Sequence, residues 1–255
     1  MISPLIEASS NQQPSDRPNQ PGQQGALGST LRMLMWNTRK TTPRNWRDDV
    51  GSLCVDKELV LLQNVAADIA DTQIGRMGTH CEWVASGSDQ PAEGDVVDGV
   101  KTGCVSAACQ QIDHYADQRE AHSNSSRVLL ETHYALGTSS QTLMVVNIHA
   151  STDASTCEFL DQLEQLCSCI DHHTGPIIVG GSFDTWSPDR LAIFQQYAEQ
   201  ALLFEASMTR QGSDVLMTQH LDYVFYREMS LRSVESLPQL QIAGYSPITA
   251  TFVVD

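Results

Sequence analysis

Gly175-Pro-Ile-Ile-Val-Gly-Gly-Ser-Phe-Asp-Thr-Trp-Ser187 holds three signals in one short stretch. Pro176–Gly180 is a continuous apolar run, which reads as a strand covered on both faces. Gly181-Ser182-Phe183-Asp184 ends that run with polar groups. Ser187 followed by Pro188 offers an N-cap and a first-turn proline, so a helix opens there and extends to Leu203. Leu191, Ile193, Phe194, Tyr197 and Leu202 form its expected buried stripe. Polar side chains at strand ends, on loops held by a sheet, are where active sites gather.

The same reading repeats outward along the chain. Apolar runs at Leu31–Trp36, Leu59–Gln63, Thr142–Ile148 and Leu221–Tyr226 are further buried strands. Each meets polar residues at an end: Asn37, Gln63-Asn64, Asn147 with His149, and Asp222. Phe159, Leu160, Leu163, Leu166, Cys167 and Ile170 recur at helical spacing and predict a helix over Thr156–Ile170. A shorter helix around Asn45–Leu53 carries Trp46, Val50 and Leu53, with Pro43 as its start signal. Gly87–Ser126 reads as loop. Strands interleaved with helices place the chain in the α/β or layered α+β class.

Six stretches in order now carry a resemblance. They are Leu34-Met-Trp-Asn37, Leu59-Val-Leu-Leu-Gln-Asn64, Met144-Val-Val-Asn-Ile-His-Ala150, Gly175–Ser187, Leu221-Asp-Tyr-Val-Phe-Tyr-Arg227 and Ala243–Phe252. Together they resemble the endonuclease/exonuclease/phosphatase superfamily, which includes pancreatic-type deoxyribonuclease, abasic-site endonucleases and inositol polyphosphate 5-phosphatases. They are most similar to its YafD-like bacterial branch. The resemblance implies a four-layer α/β (α+β) sandwich, two packed, mostly antiparallel β-sheets flanked by helices. It also implies metal-dependent phosphoester hydrolysis, usually with Mg²⁺, in which carboxylates hold the metal and activate water and an Asp–His pair contacts the phosphate.

Three positions match that pattern outright: Asn37, His149 and Asp222. Five depart from it. The family's metal-binding Glu is Asn64, which brings no charge to a hard cation. Its Gly-Asp-Phe-Asn becomes Gly181-Ser182-Phe183-Asp184, replacing the water-activating Asp with Ser182 and the phosphate-binding Asn with the acidic Asp184. Its Ser-Asp-His-x-Pro becomes Ala243-Gly244-Tyr245-Ser246-Pro247, so Gly244 and Tyr245 replace the Asp–His pair. Loss of a general acid or base costs about 10²–10⁴-fold in rate, and loss of a charge-stabilising group about 10²–10³-fold. The expectation is a pseudoenzyme whose old cleft binds a small phosphorylated ligand or a protein. The alternative is a weak Mg²⁺- or Mn²⁺-dependent phosphodiesterase or phosphatase with Asp184 as a relocated metal ligand.

Bulk properties narrow the partners. The 255 residues carry a formal charge of −16, and a chain this acidic repels polyanions, so nucleic acid is not expected as a partner. Residues 1–28, rich in Gln, Pro, Asn and Ser, read as a disordered tail ahead of a single domain over 29–255. No apolar run is long enough to span a membrane. Seven cysteines, an odd number, argue against a disulfide framework and for a reducing, cytoplasmic setting. Cys167-Ser-Cys169 followed by His172-His173 invites a zinc reading, as do Cys104, Cys109 and His114. Cys167, though, falls on an apolar helix face, where buried thiols behave as small hydrophobes.

Overall fold

The computed structural model describes residues 25–38, 46–66, 81–87, 98–114, 128–150, 154–207, 221–240 and 245–254. Two six-stranded sheets pack face to face. The first is built from β1 (Thr30–Asn37), β2 (Leu59–Ala66), β3 (Glu82–Gly87), β4 (Asp98–Cys104), β11 (Ser230–Ser236) and β12 (Ile248–Val253), in the order β11-β12-β1-β2-β4-β3. The second holds β5 (Gln110–His114), β6 (Val128–Ala135), β7 (Thr142–His149), β8 (Ile177–Ser182), β9 (Phe204–Glu205) and β10 (Asp222–Arg227), in the order β5-β6-β7-β8-β10-β9. Only β1–β2 and β7–β8 pair in parallel among the described strands. Helix α1 (Trp46–Cys54) covers the first sheet, and α2 (Thr156–Asp171) and α3 (Pro188–Gln200) cover the second.

Pleat parity explains why the central strands are apolar throughout. Leu31, Met33 and Met35 of β1 face the second sheet, with Leu59, Leu61, Leu143, Val145, Ile178 and Val224. Leu34 and Trp36 face outward onto Val50 and Cys54 of α1. Met144, Val146, Ile177, Val179 and Phe225 face outward onto Phe159, Leu163, Leu166 and Phe194 of α2 and α3. A strand buried on both faces loses the alternation of a half-exposed one.

Both helix starts rest on the expected chemistry. Ser155 caps α2 in a full capping box with Glu158, and Ser187 caps α3 ahead of Pro188. Leu202 is a correction: it lies beyond α3 at φ 55° and is 68% exposed, so it is not part of that helix's buried stripe. Gly87–Ser126 is a second correction, since β4 and β5 both lie inside it. Leu27 is buried in the core between the sheets, and its N–H donates to Ala135 O, so packing begins before Ser29. Residues 1–24, Pro43, Asn45 and Gly244 lie outside the described residues.

Two glycines set the close approach at β8. A Cβ at Gly181, which sits at φ 149°, would lie 1.9 Å from Ile148 O. A Cβ at Gly180 would lie 2.7 Å from Leu61 Cδ1 of the facing sheet. Only glycine meets the first demand.

Candidate functional site

The inward parity that builds the core also builds the site. Asn37, Gln63, Asn147, His149, Ser182 and Asp222 continue the inward-facing series of their strands to the end of the inter-sheet space. Across the second sheet, His149 pairs with Ser182 and Ser182 with Asp222, so the three stand in one row. On the first sheet, Asn37 pairs with Gln63.

Asn147 and Gln63 have a structural role here. Asn147 is fully buried and ties the sheets together. Its Nδ2 donates to Leu62 O, Lys101 O and Thr102 Oγ1 at 3.3, 3.0 and 3.2 Å, and its Oδ1 accepts from Gln63 Nε2 at 2.8 Å. A buried amide with this many partners pins one strand register against another.

Asp222 is the centre of the row. Burial pushes its carboxyl up to about 7, against the opposing pull of hydrogen bonds from Asn37 and Ser182. The residue is half-buried overall, but its Oδ1 is shielded from solvent and has no hydrogen-bond partner among the described residues. Asn37 Oδ1 is likewise buried and without a donor among the described residues. Ser182 stands between His149 and Asp222, the wrong order for a relay in which the histidine bridges the hydroxyl and the carboxylate.

Asp184 and Asn64 share a backbone state. Both are left-handed, at φ 53° and φ 58°, a region that Asn and Asp occupy at lower cost than other side chains. Asn64 sits at the register shift between Gln63 and Val65, where β2 bulges against β4. Asp184 is almost wholly buried, and its carboxylate is bound by the Arg190 guanidinium of α3. Arg190 also donates to Ala154 O and lies over the Phe159 and Trp186 rings, 5.0 and 5.3 Å from their centroids. No residue 190 contact was legible in the sequence, because Arg190 carries no motif. Tyr245 is half-buried at an isolated bridge.

A divalent metal of the kind the resemblance implies needs more charge than these donors bring. Mg²⁺ takes oxygen ligands and leans on one or two carboxylates. Of the described carboxylates at this end of the sandwich, Asp222 is held toward its neutral form and Asp184 is bound by a guanidinium. Asn64 and Asn37 add no charge. The described residues do not fit such a centre.

No family model matches the chain. It is 28% identical over 231 residues to a UPF0294 protein of Vibrio parahaemolyticus, covering 88% of this chain and 78% of that one. A UPF0294 protein of Erwinia tasmaniensis is 29% identical over 231 residues, covering 89% and 82%. Among solved structures, the endonuclease/exonuclease/phosphatase from Beutenbergia cavernae superposes with a TM-score of 0.67 at 16% identity, covering 89% of this chain and 72% of that one. The human Nocturnin catalytic domain with bound sulfate gives 0.66 at 17%, covering 90% and 96%. D. rerio TDP2 complexed with single-strand DNA product gives 0.62 at 12%, covering 88% and 99%. The two packed sheets, the row of polar residues at their end and these superpositions agree: the chain has the endonuclease/exonuclease/phosphatase fold, and along most of its sequence it is similar to the bacterial UPF0294 proteins.

Proposed function

We propose that this chain keeps the phosphoesterase sandwich as a binding or scaffold module and has lost phosphoester hydrolysis. The observation that carries this reading is the pairing of Asp184 with Arg190. It takes one of the two described carboxylates at the site out of metal chemistry and leaves Asp222, at about 7, as the other. Water activation and the Asp–His pair are changed as well, at Ser182, Gly244 and Tyr245. These losses fall on separate functions, so one compensating change does not restore the rate. The buried acceptor Asn37 Oδ1 suits a ligand that brings a hydrogen-bond donor.

The test is hydrolysis of bis-p-nitrophenyl phosphate with Mg²⁺ or Mn²⁺. The natural chain is expected to show none above buffer. A restored variant carries Asn64→Glu, Ser182→Asp, Asp184→Asn, Gly244→Asp and Tyr245→His, with Arg190→Met added so that no guanidinium is stranded. That variant is expected to turn over. Metal-dependent turnover by the natural chain, abolished by Asp222→Asn, would overturn the proposal.

A further inference from the structure

On the opposite face of the second sheet, away from the row of His149, Ser182 and Asp222, a second cluster of ligand-type side chains converges beneath α2. Glu131 of β6 is buried, and its two oxygens are divided between two imidazoles. Oε2 lies 2.7 Å from His114 Nε2 of β5, and Oε1 lies 2.6 Å from His133 Nε2. Cys169 of α2 closes the group from above, with Sγ 3.4 Å from His114 Nε2. One ligand atom from each of His114, Glu131 and Cys169 lies within 4.8 Å of the others. We propose that His114, Glu131 and Cys169 form a binding site for a divalent transition metal, Zn²⁺ by donor set, that clips β5, β6 and α2 together.

The donor chemistry favours such an ion over Mg²⁺. Thiolate, imidazole and carboxylate together suit a borderline cation, and Zn²⁺ takes all three at roughly 2.0–2.3 Å. Tetrahedral ligands at those lengths stand about 3.3–3.8 Å apart. The Cys169–His114 spacing is already there, and the Glu131–His114 pair needs to open by roughly 0.6–1 Å. The surroundings also match a ligand set. His133 holds the second oxygen of Glu131, as carboxylate ligands are usually held. His133 in turn packs edge-on against His173 at 5.3 Å between centroids, and His173 Nε2–H donates to Thr142 O at 3.1 Å. The His114 side chain is 21% exposed, which leaves an entry path and a fourth coordination position.

The full-length chain, stripped with a chelator, is titrated with Co²⁺ as the spectroscopic probe. One equivalent is expected to bring tetrahedral d–d bands and a thiolate-to-cobalt charge-transfer band, both bleached by Zn²⁺ and untouched by excess Mg²⁺. Cys169→Ser, which leaves six other cysteines, is expected to abolish the charge-transfer band. His114→Gln is expected to weaken binding at least about tenfold, and Cys157→Ser to change nothing. Because a variant could fail to fold, the natural chain gives a second readout: Zn²⁺ is expected to protect Cys169 from alkylation, mapped by mass spectrometry, while exposed Cys157 stays reactive. Absence of the charge-transfer band, its survival in Cys169→Ser, or equal alkylation of Cys169 with and without Zn²⁺ would overturn the site.

Discussion

Asp222 and Asp184 are both acidic residues held inside a sandwich, yet they are stabilised in opposite ways. Among the described residues Asp222 has hydrogen bonds but no cation, and its carboxyl is pushed up to about 7 by burial. The native state therefore keeps a proton that the unfolded chain releases near ~3.9. Its contribution to stability is complete below about pH 4 and is lost as the pH rises through about 7. Asp222→Asn should remove that dependence. Between about pH 5 and about pH 8, urea unfolding of the parent should lose on the order of 2–4 kcal/mol relative to the variant, and parallel stability profiles would show that the carboxyl is not buried as described. Asp184 instead has a guanidinium. Arg190→Met alone leaves a buried carboxylate uncompensated and should cost about 3–5 kcal/mol, whereas Asp184→Asn together with Arg190→Met should recover most of it. A double-mutant cycle read by chemical denaturation gives the coupling, and additive single effects would mean that the pair is not formed. The sequence shows Asp184 as a departure from a motif. It cannot show that the departure is matched, because the matching residue lies on the next helix in no recognisable pattern.

Elements were legible in proportion to their burial. β1, β2, β7, β8 and β10 announce themselves because helices cover one face and the opposite sheet the other, which makes each run apolar. β3, β5 and β11 lie at sheet edges, and Gln-Gln-Ile-Asp-His or Ser-Leu-Arg-Ser-Val-Glu-Ser offers no continuous run. β11 also shifts register between Leu231 and Ser233, which breaks its alternation. β6 hides for another reason: Glu131 and His133 interrupt it where the outer face holds the cluster under α2. In the sequence those ligand types group by proximity along the chain, Cys167 and Cys169 with His172 and His173, and Cys104 and Cys109 with His114. The fold joins Cys169 to His114 instead, 55 residues away, a pairing that spacing cannot reveal. Two tests address what holds the elements together. Asn147→Leu strands Gln63 Nε2 and three acceptors in the core, and should cost about 2–4 kcal/mol in thermal or urea unfolding. Gly181→Ala should be worse than Gly180→Ala, because the first meets backbone at 1.9 Å and the second meets the movable end of Leu61. The reverse ranking of soluble yield or Tm would mean that the close approach of β8 to β7 is not what fixes Gly181.

At the scale of the whole molecule, fold and charge point to different partners. The sandwich is shared with a structure that holds single-strand DNA, D. rerio TDP2. Sharing a scaffold does not transmit a ligand, since affinity for nucleic acid comes from cations placed along the phosphate backbone. This chain has 15 basic residues against 31 acidic ones. Several of the described cations are already engaged: Arg32 with Glu58, Lys57 with Asp56, Arg190 with Asp184, and Arg227 with the carbonyls of Ala201, Ile170 and His173. The mouth of the sandwich adds the buried oxygens Asn37 Oδ1 and Asp222 Oδ1. With 16 excess negative charges, long-range repulsion slows encounter. A fluorescent single-stranded oligonucleotide should therefore show no binding tighter than the ~10⁻⁴ M of weak non-specific association, even at low salt, where such contacts are strongest. Binding in the micromolar range, falling with salt at a slope of several counterions, would mean that clustered Lys and Arg side chains override the net charge, and a nucleic-acid partner would then have to be restored to the functional reading.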